Sequence, residues 1–318
     1  MSTPELTIVV PMFRESQHVP VSLAEIESHV GRCCADYEII VIDDGSLDDT
    51  WDHIRHYAAD HPHCRGLRLS RNFGKEHAVS AGLELSSGRA VVVMDGDLQH
   101  PPALIEKMLE PWRKGETDVV EAVKTHRGRE SAASALFART FYRMLKWLSG
   151  FDLQNASDFK LLDRKVVDAW KRLSERNLFF RGMTAWLGFR RVQIPFEVPD
   201  RVGGRSQWSF VSLVRLAMTA VTAFSSSLLQ LVTLCGLVFL GFSLIWAAYT
   251  ISFWFTGRAK VGFTTVILLL LVIGSLIMIS LGIIGLYLAR IYDEVKGRPR
   301  YLIAETTEVT SSDRSSGP

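Results

Sequence analysis

Two runs without a charged residue constrain this chain more than any other feature of its sequence. Residues 225–256 form the first and residues 261–289 the second. Each exceeds the ~20 residues that a helix needs to cross a bilayer core. Only Gly257, Arg258, Ala259 and Lys260 separate them. The expected arrangement is therefore an antiparallel two-helix transmembrane hairpin with both flanks on one side. Buried helices of a soluble protein are the competing reading, and the length of both runs disfavours it. Arg201, Arg205 and Arg215 precede the hairpin, and Arg290, Lys296, Arg298 and Arg300 follow it; its loop holds only Arg258 and Lys260. That bias places both termini in the cytoplasm. Gly236, Gly241, Gly274, Gly282 and Gly285 permit close helix packing, without a GxxxG motif.

The rest of the chain reads differently. It has 318 residues with 36 Lys+Arg against 34 Asp+Glu, a balance that excludes a polyelectrolyte tail and gives nucleic-acid binding no support. Cys33, Cys34, Cys64 and Cys235 form no CxxC pair and read as reduced thiols. Residues 1–13 lack the basic region and cleavage site of a signal peptide. Residues 1–205 are expected to be a cytosolic α/β domain. Within it, 131–150 is an amphipathic helix, either interfacial or packed on that domain. Residues 206–224 read as a juxtamembrane amphipathic helix and 290–318 as a cytosolic tail, polar and disordered after Glu305.

Within the first ~125 residues strand and helix signals alternate, which predicts a parallel sheet. Strands are expected at 6–11, 37–42, 66–69, 90–94 and 118–122, with helices near 19–33, 48–60 and 75–85. Polar residues gather at the carboxyl ends of the strands, the edge where open α/β sheets bind ligands. Asp43, Asp44, Asp95 and Asp97 would face one crevice there, and their mutual repulsion calls for a cation. Asp95, Gly96 and Asp97 follow the buried strand residues Val91–Val93, with Gly96 expected to let the chain turn tightly. The two carboxylates suit Mg²⁺ or Mn²⁺, with Gln99 available to join the ion's shell. Asp43 to Ser46 is read either as an Asp-Gly turn before a helix cap or as a nucleotide pocket. Lys75 is read either as a solvated helix-start lysine or as a diphosphate contact. No P-loop, GxGxxG or EF-hand motif occurs.

Several strings are familiar together. Val10–Pro11–Met12–Phe13–Arg14–Glu15 resembles the opening of family-2 glycosyltransferases. Asp43–Asp44–Gly45–Ser46, Asn72–Phe73–Gly74–Lys75 and Asp95–Gly96–Asp97–Leu98–Gln99–His100–Pro101–Pro102 follow in family order. Ser157–Asp158–Phe159–Lys160, Arg201–Val202–Gly203–Gly204–Arg205–Ser206, and the segment from Ile291 through Pro299 complete the set. With the hairpin, the chain is similar over nearly its whole length to polyisoprenyl-phosphate glycosyltransferases of the bacterial GtrB and dolichol-phosphate mannosyltransferase group. It departs from the family pattern at Arg14, where Asn is common, and at Lys160, where Arg is frequent. The QxxRW motif of processive synthases is absent.

The resemblance implies a GT-A (Rossmann-like) domain. It implies inverting transfer of one sugar from a nucleotide diphosphate sugar to a membrane polyisoprenyl phosphate, undecaprenyl phosphate in a bacterial inner membrane. UDP-glucose is the first-choice donor, with GDP-mannose, UDP-N-acetylglucosamine or a modified arabinose donor as alternatives. It implies a homo-oligomer, a tetramer among the options. Asp97 and Asp158 are the implied catalytic residues, Asp158 as an acceptor-side acid. Asp95, Asp97 and Gln99 are the implied metal site for Mg²⁺ or Mn²⁺. Pro11, Glu15, Asp43, Asp44, Lys75 and Asp95 are expected to bind the nucleotide sugar. Arg201 and Arg205, then Lys124, Arg127 and Arg129, are expected to hold the acceptor phosphate, with anionic lipid headgroups as their alternative partner. A membrane sugar-nucleotide sensor or transporter is the non-catalytic alternative; a transporter would be expected to have more spanning helices.

Overall fold

The structure is a computed structural model and describes residues 3–124, 157–176, 178–196, 227–255 and 262–307. The chain divides into two units. The first carries an eight-stranded sheet: β1 (Leu6–Met12), β2 (Tyr37–Asp43), β3 (Cys64–Leu69), β4 (Ala90–Val93), β5 (Val119–Lys124), β6 (Lys160–Asp163), β7 (Arg191–Phe196) and β8 (Ile303–Thr306). The strand order is β7-β5-β6-β4-β1-β2-β3-β8. The four strands β1 to β4 are parallel to one another, as expected. The whole sheet is mixed, because β6 and β8 run antiparallel to their neighbours.

The central strands hold this sheet. Leu6, Ile8, Val10 and Met12 of β1, Ile39 and Val41 of β2, and Val92 of β4 are buried in one cluster with α1 and α4. Each such side chain contributes ~1.5–3 kcal/mol by burial, enough to fix the strands and leave their ends to carry groups that repel. Helix α1 (Val19–Cys33) buries Val19, Leu23, Ile26 and Val30, the stripe that a 3.6-residue period predicts. Among the described residues, the other helices of this unit are α2 (Thr50–Asp60), α3 (Lys75–Leu85), α4 (Leu104–Arg113), α5 (Arg164–Lys171) and α6 (Phe180–Trp186). Asp163 caps α5, its carboxylate accepting from the Lys165 N–H at 3.0 Å.

The second unit holds α7 (Ser227–Phe255) and α8 (Phe263–Val295). Large apolar side chains are exposed along both, among them Leu237, Ile245, Met278 and Leu288. Among the described residues one helical stretch, Val272–Val295, is long and apolar enough to cross a membrane by length and composition. A shorter apolar stretch, Val232–Trp246, lies in α7. Helix α8 runs beyond the charge-free segment and stops at Gly297, whose φ of 65° suits glycine. The chain then returns to the first unit, where 303–306 pair with β3 as an edge strand. The tail expected at 290–318 is thus partly sheet. The segments 131–150 and 206–224 lie outside the described residues.

Candidate active site

Parallel strands send the turns after β1, β2, β3 and β4 to one edge. Because β6 is antiparallel to β4, with Lys160 opposite Val93, the residues just before β6 reach that edge as well. Residues from five separate stretches of sequence meet there.

The turn after β2 is built into the wall. Asp43 and Asp44 are buried, with Asp43 0% exposed. The Asp43 Oδ1 accepts from the Ser46 N–H at 3.1 Å. The Asp44 carboxylate accepts from the backbone N–H groups of Phe73 and Gly74, both at 2.8 Å. Burial pushes the Asp43 and Asp44 carboxyls up, and those N–H donors pull against it. Asp44 therefore clips the turn after β2 to the loop that opens α3 and presents Lys75. Gly45 has φ 68°, and a Cβ there would stand 2.3 Å from the Arg71 carbonyl carbon. Of the four aspartates expected to share one crevice, Asp43 and Asp44 are buried within the turn, while Asp95 is partly exposed and Asp97 exposed.

The turn after β4 carries Asp95 and Asp97. The residue with a left-handed backbone there is Leu98, φ 54°. Gly96 serves a different need from the one expected. A Cβ on it would meet Met12 Cε at 2.7 Å and Glu15 Oε2 at 2.9 Å, so glycine lets the turn lie against the end of β1. Asp97 Oδ1 accepts from the Gln99 backbone N–H at 3.0 Å. Behind the turn, Glu15 Oε2 is buried with no hydrogen-bond partner among the described residues. Burial, then repulsion from Asp97 and Asp95, pushes the Glu15 carboxyl up to about 7; Lys75 pulls it down.

Lys75 bridges the two sides of the site. Its Nζ stands 2.6 Å from Asp95 Oδ1 and 2.9 Å from Asp158 Oδ2. Burial works against its charge, but the two carboxylates outweigh burial and hold the ammonium above the usual lysine range. Asp158 is gripped further by Arg181, whose Nε donates to Oδ1 at 2.7 Å and whose Nη2 donates to Oδ2 at 2.8 Å. Burial alone would raise the Asp158 carboxyl; Arg181 and Lys75 together hold it well below the carboxylate range. Glu76 accepts from the Phe180 N–H at 2.7 Å, which ties the start of α6 to α3 and so places Arg181.

The donors at the turn fit a hard divalent cation. Asp95 and Asp97 offer oxygen ligands, and Glu15 adds negative potential behind them. Among the described residues no three His, Cys, Asp or Glu side chains form a complete cage. An ion here would draw its remaining ligands from water and from a bound substrate's oxygens.

The model of the family described as Glycosyl transferase family 2 matches residues 7–169. The chain belongs to glycosyl transferase family 2. It is 36% identical over 305 residues to an uncharacterized glycosyltransferase of Synechocystis sp., covering 95% of this chain and 96% of that protein. It is 34% identical over 304 residues to the bactoprenol glucosyl transferase of Shigella phage SfX, covering 94% of this chain and 98% of that protein. A solved glucosyl-3-phosphoglycerate synthase of Mycobacterium tuberculosis superposes with TM-score 0.48 at 21% identity, over 69% of this chain and 79% of that one.

The mixed sheet is the GT-A-like fold of this glycosyl transferase, and its site differs in detail from the motif reading. Lys160 is one of the two residues that depart from the family pattern. It is buried beneath the site, with Nζ 3.1 Å from Glu121 Oε1 and donating to Thr184 Oγ1 at 2.7 Å. Glu121 also accepts from the Ser157 N–H at 3.2 Å, so this pair anchors the stretch that carries Asp158. Arg181 carries no motif signal, and only the fold brings it across 23 residues to Asp158. Pro11 lies buried in β1 opposite Ile42. Lys124 ends β5. Arg127, Arg129, Arg201 and Arg205 lie outside the described residues.

Proposed function

We propose that this glycosyl transferase moves a single sugar, with inversion, from a nucleotide diphosphate sugar to a polyisoprenyl phosphate, with UDP-glucose as donor. The observation that carries the reading is the bridge of Lys75 between Asp95 on the donor side and Asp158 on the acceptor side. It joins a diphosphate-and-metal turn to a second carboxylate across one crevice, as sugar transfer between two bound substrates requires. The relative's name, bactoprenol glucosyl transferase, supports the lipid acceptor and glucose. The exposed apolar faces of α7 and α8 are costly in water and suited to lipid. We read them as the two-helix hairpin that holds the protein in the inner membrane, with the catalytic unit and both termini in the cytoplasm.

An acceptor phosphate oxygen attacks the anomeric carbon as the bond to the diphosphate breaks, and the nucleoside diphosphate leaves with the electron pair. The nucleophile is ionised near neutral pH and needs no strong base. Asp158, held ionised by two cations, accepts protons poorly and acts as an orienting group for a sugar hydroxyl or the acceptor. Asp95, Asp97 and Gln99 would hold a Mg²⁺ or Mn²⁺, which when bound would supply charge stabilisation to the leaving diphosphate. Lys75 turns from Asp95 to the diphosphate, Pro11 and Glu15 border the donor, and Asp43 and Asp44 shape its pocket. Arg201, Arg205, Lys124, Arg127 and Arg129 supply the cations for the acceptor phosphate.

The test is purified protein reconstituted with undecaprenyl phosphate and a panel of nucleotide sugars, assayed for lipid-linked product with and without EDTA. UDP-glucose with metal is expected to give product, and EDTA to abolish it. Asp97→Ala is expected to lower turnover by at least ~10²-fold with unchanged thermal unfolding. Folded wild-type protein that binds nucleotide yet forms product from no donor would sink the enzyme reading in favour of a sensor. Product on diacylglycerol alone would move the acceptor.

A further inference from the structure

The strand that follows the long helices does more than close the sheet. In the β3–β8 pairing Arg68 stands directly opposite Glu305. Arg68 Nη1 donates to Glu305 Oε1 at 3.0 Å, and its Nη2 donates to the Ser46 carbonyl at 3.0 Å. Its Nε lies 3.5 Å from Asp43 Oδ2, an oxygen that is buried without a hydrogen bond among the described residues. The second oxygen of Glu305 accepts from Trp51 Nε1 of α2 at 3.0 Å. On the far side of the turn, Ser46 Oγ accepts from the Arg14 N–H at 2.9 Å; Arg14 has φ 55° and leads into Glu15. A continuous line of contacts thus runs from β8 through Arg68 and the turn after β2 to the end of β1.

We infer that Arg68 and Glu305 are positioning residues of the donor pocket, so that the segment downstream of the long helices sets the shape of the nucleotide-binding wall. The inference rests on the reading above, in which Asp43 and Asp44 shape the nucleotide pocket. Its physical basis is the fork of Arg68. One planar guanidinium donates to the Ser46 carbonyl and brings a positive charge within 3.5 Å of the second oxygen of a fully buried aspartate, and Glu305 holds the guanidinium. A strand of four exposed residues gains little by itself. It is held by separate ties elsewhere: Thr307 Oγ1 accepts from the Gly66 N–H at 2.9 Å, and Tyr301 donates to Glu84 at 2.6 Å. Those ties fasten the segment without reaching Asp43. An edge strand needed only for stability has no use for an ion pair aimed into the turn.

The experiment measures binding of UDP and of GDP with Mn²⁺ to the full chain in detergent by calorimetry, beside thermal unfolding. The nucleotide that wild type binds more tightly is followed. Arg68→Met is expected to weaken it by about tenfold, the size of one charge-assisted contact at a buried carboxylate. Glu305→Gln, a partly exposed partner, is expected to weaken it by about threefold, and the double variant to be no worse than Arg68→Met. Donor KM rises and kcat stays within about twofold, the pattern of lost binding common to ground and transition states. Tyr301→Phe lowers the unfolding temperature and leaves nucleotide affinity unchanged. If Arg68→Met does not fold, Arg68→Lys is read instead, since it keeps the charge and loses the fork; a weakening of the same direction is expected. Unchanged affinity in the Arg68 and Glu305 variants, or an equal loss in Tyr301→Phe, overturns the inference. Asp43→Asn and Asp44→Asn separate the two readings. If both leave nucleotide affinity intact, or neither nucleotide binds wild type, the pocket reading fails and takes the inference with it. If they weaken binding and the Arg68 and Glu305 variants do not, the inference alone fails.

Discussion

Arg181 decides what Asp158 is able to do. A carboxylate held by a two-pronged guanidinium and an ammonium is a fixed negative charge. Arg181→Met is expected to cost about 1–2 kcal/mol at pH 7, discounted because Arg181 is 38% exposed. The sign with pH follows from the lowered Asp158 carboxyl. Such a group contributes stability above its unfolded pKa of ~3.9, and that contribution fades as pH falls further. Thermal unfolding of wild type and Arg181→Met from pH 7 down to pH 2 should show a gap that holds to about pH 4 and narrows below it; a gap constant throughout would place the role of Arg181 elsewhere. The two turn glycines give a sharper contrast. At Gly45 both φ and the Arg71 backbone oppose a side chain, so Gly45→Ala should destabilise by more than ~2 kcal/mol. At Gly96 the obstacles are the ends of Met12 and Glu15, which can swing aside. Gly96→Ala should fold nearly as wild type and lose Mn²⁺ affinity, because Glu15 is driven from behind the Asp95–Asp97 turn. Unfolding curves and Mn²⁺ titration of the two variants distinguish these outcomes.

At the scale of elements, β6 brings the Asp158 carboxylate to the Asp95–Asp97 turn. It slots antiparallel between β4 and β5 and pairs Lys160 with Glu121 on the neighbouring strand. Both side chains are nearly inaccessible, at 2% and 3%. Lys160→Met leaves the Glu121 carboxylate buried without its cation, and should cost ~3 kcal/mol or more; Lys160→Met with Glu121→Leu should recover most of it. Equal loss in the single and double variants, measured by thermal unfolding, would mean that packing and not charge governs the site. β6 also marks where sequence reading stops. The central strands were legible because buried runs such as Val91–Val93 end in polar turns, and α1 because apolar residues recur at helical spacing. β6 and β8 have no such signature. Lys160–Asp163 contains two charges, and Ile303–Thr306 is exposed throughout, so neither shows a period-2 face. Both are antiparallel and both lie beyond the first ~125 residues, whose strands are parallel as expected, so the sheet as a whole is mixed. The Asp95–Asp97 turn was readable as a motif, whereas Arg181, Arg68 and the clipping role of Asp44 arise only when distant segments meet.

For the molecule as a whole, the catalytic unit is assembled from sequence on both sides of the long helices. The sheet ends in β7 at one edge, before the helices, and in β8 at the other, after them. Cutting the chain before α7 therefore removes more than an anchor. It strips β8 from β3, exposes the backbone of Leu67 to Leu69, and leaves Trp51 and Arg68 without Glu305. A soluble variant that ends before α7 should unfold at lower temperature and expose an unpaired strand edge prone to association. A second variant, with residues 207–297 replaced by a flexible linker, keeps β8. The linker must cross a sheet of eight strands, about 34 Å at ~4.8 Å per strand spacing. About 35 Gly/Ser residues have a root-mean-square span close to that distance. This linked variant should be monomeric, unfold at the higher temperature and bind nucleotide more tightly than the truncated one. Both should lose transfer to a lipid in vesicles, since each lacks α7 and α8. Equal stability and nucleotide affinity in the two soluble variants would show that the returning strand is dispensable to the catalytic unit.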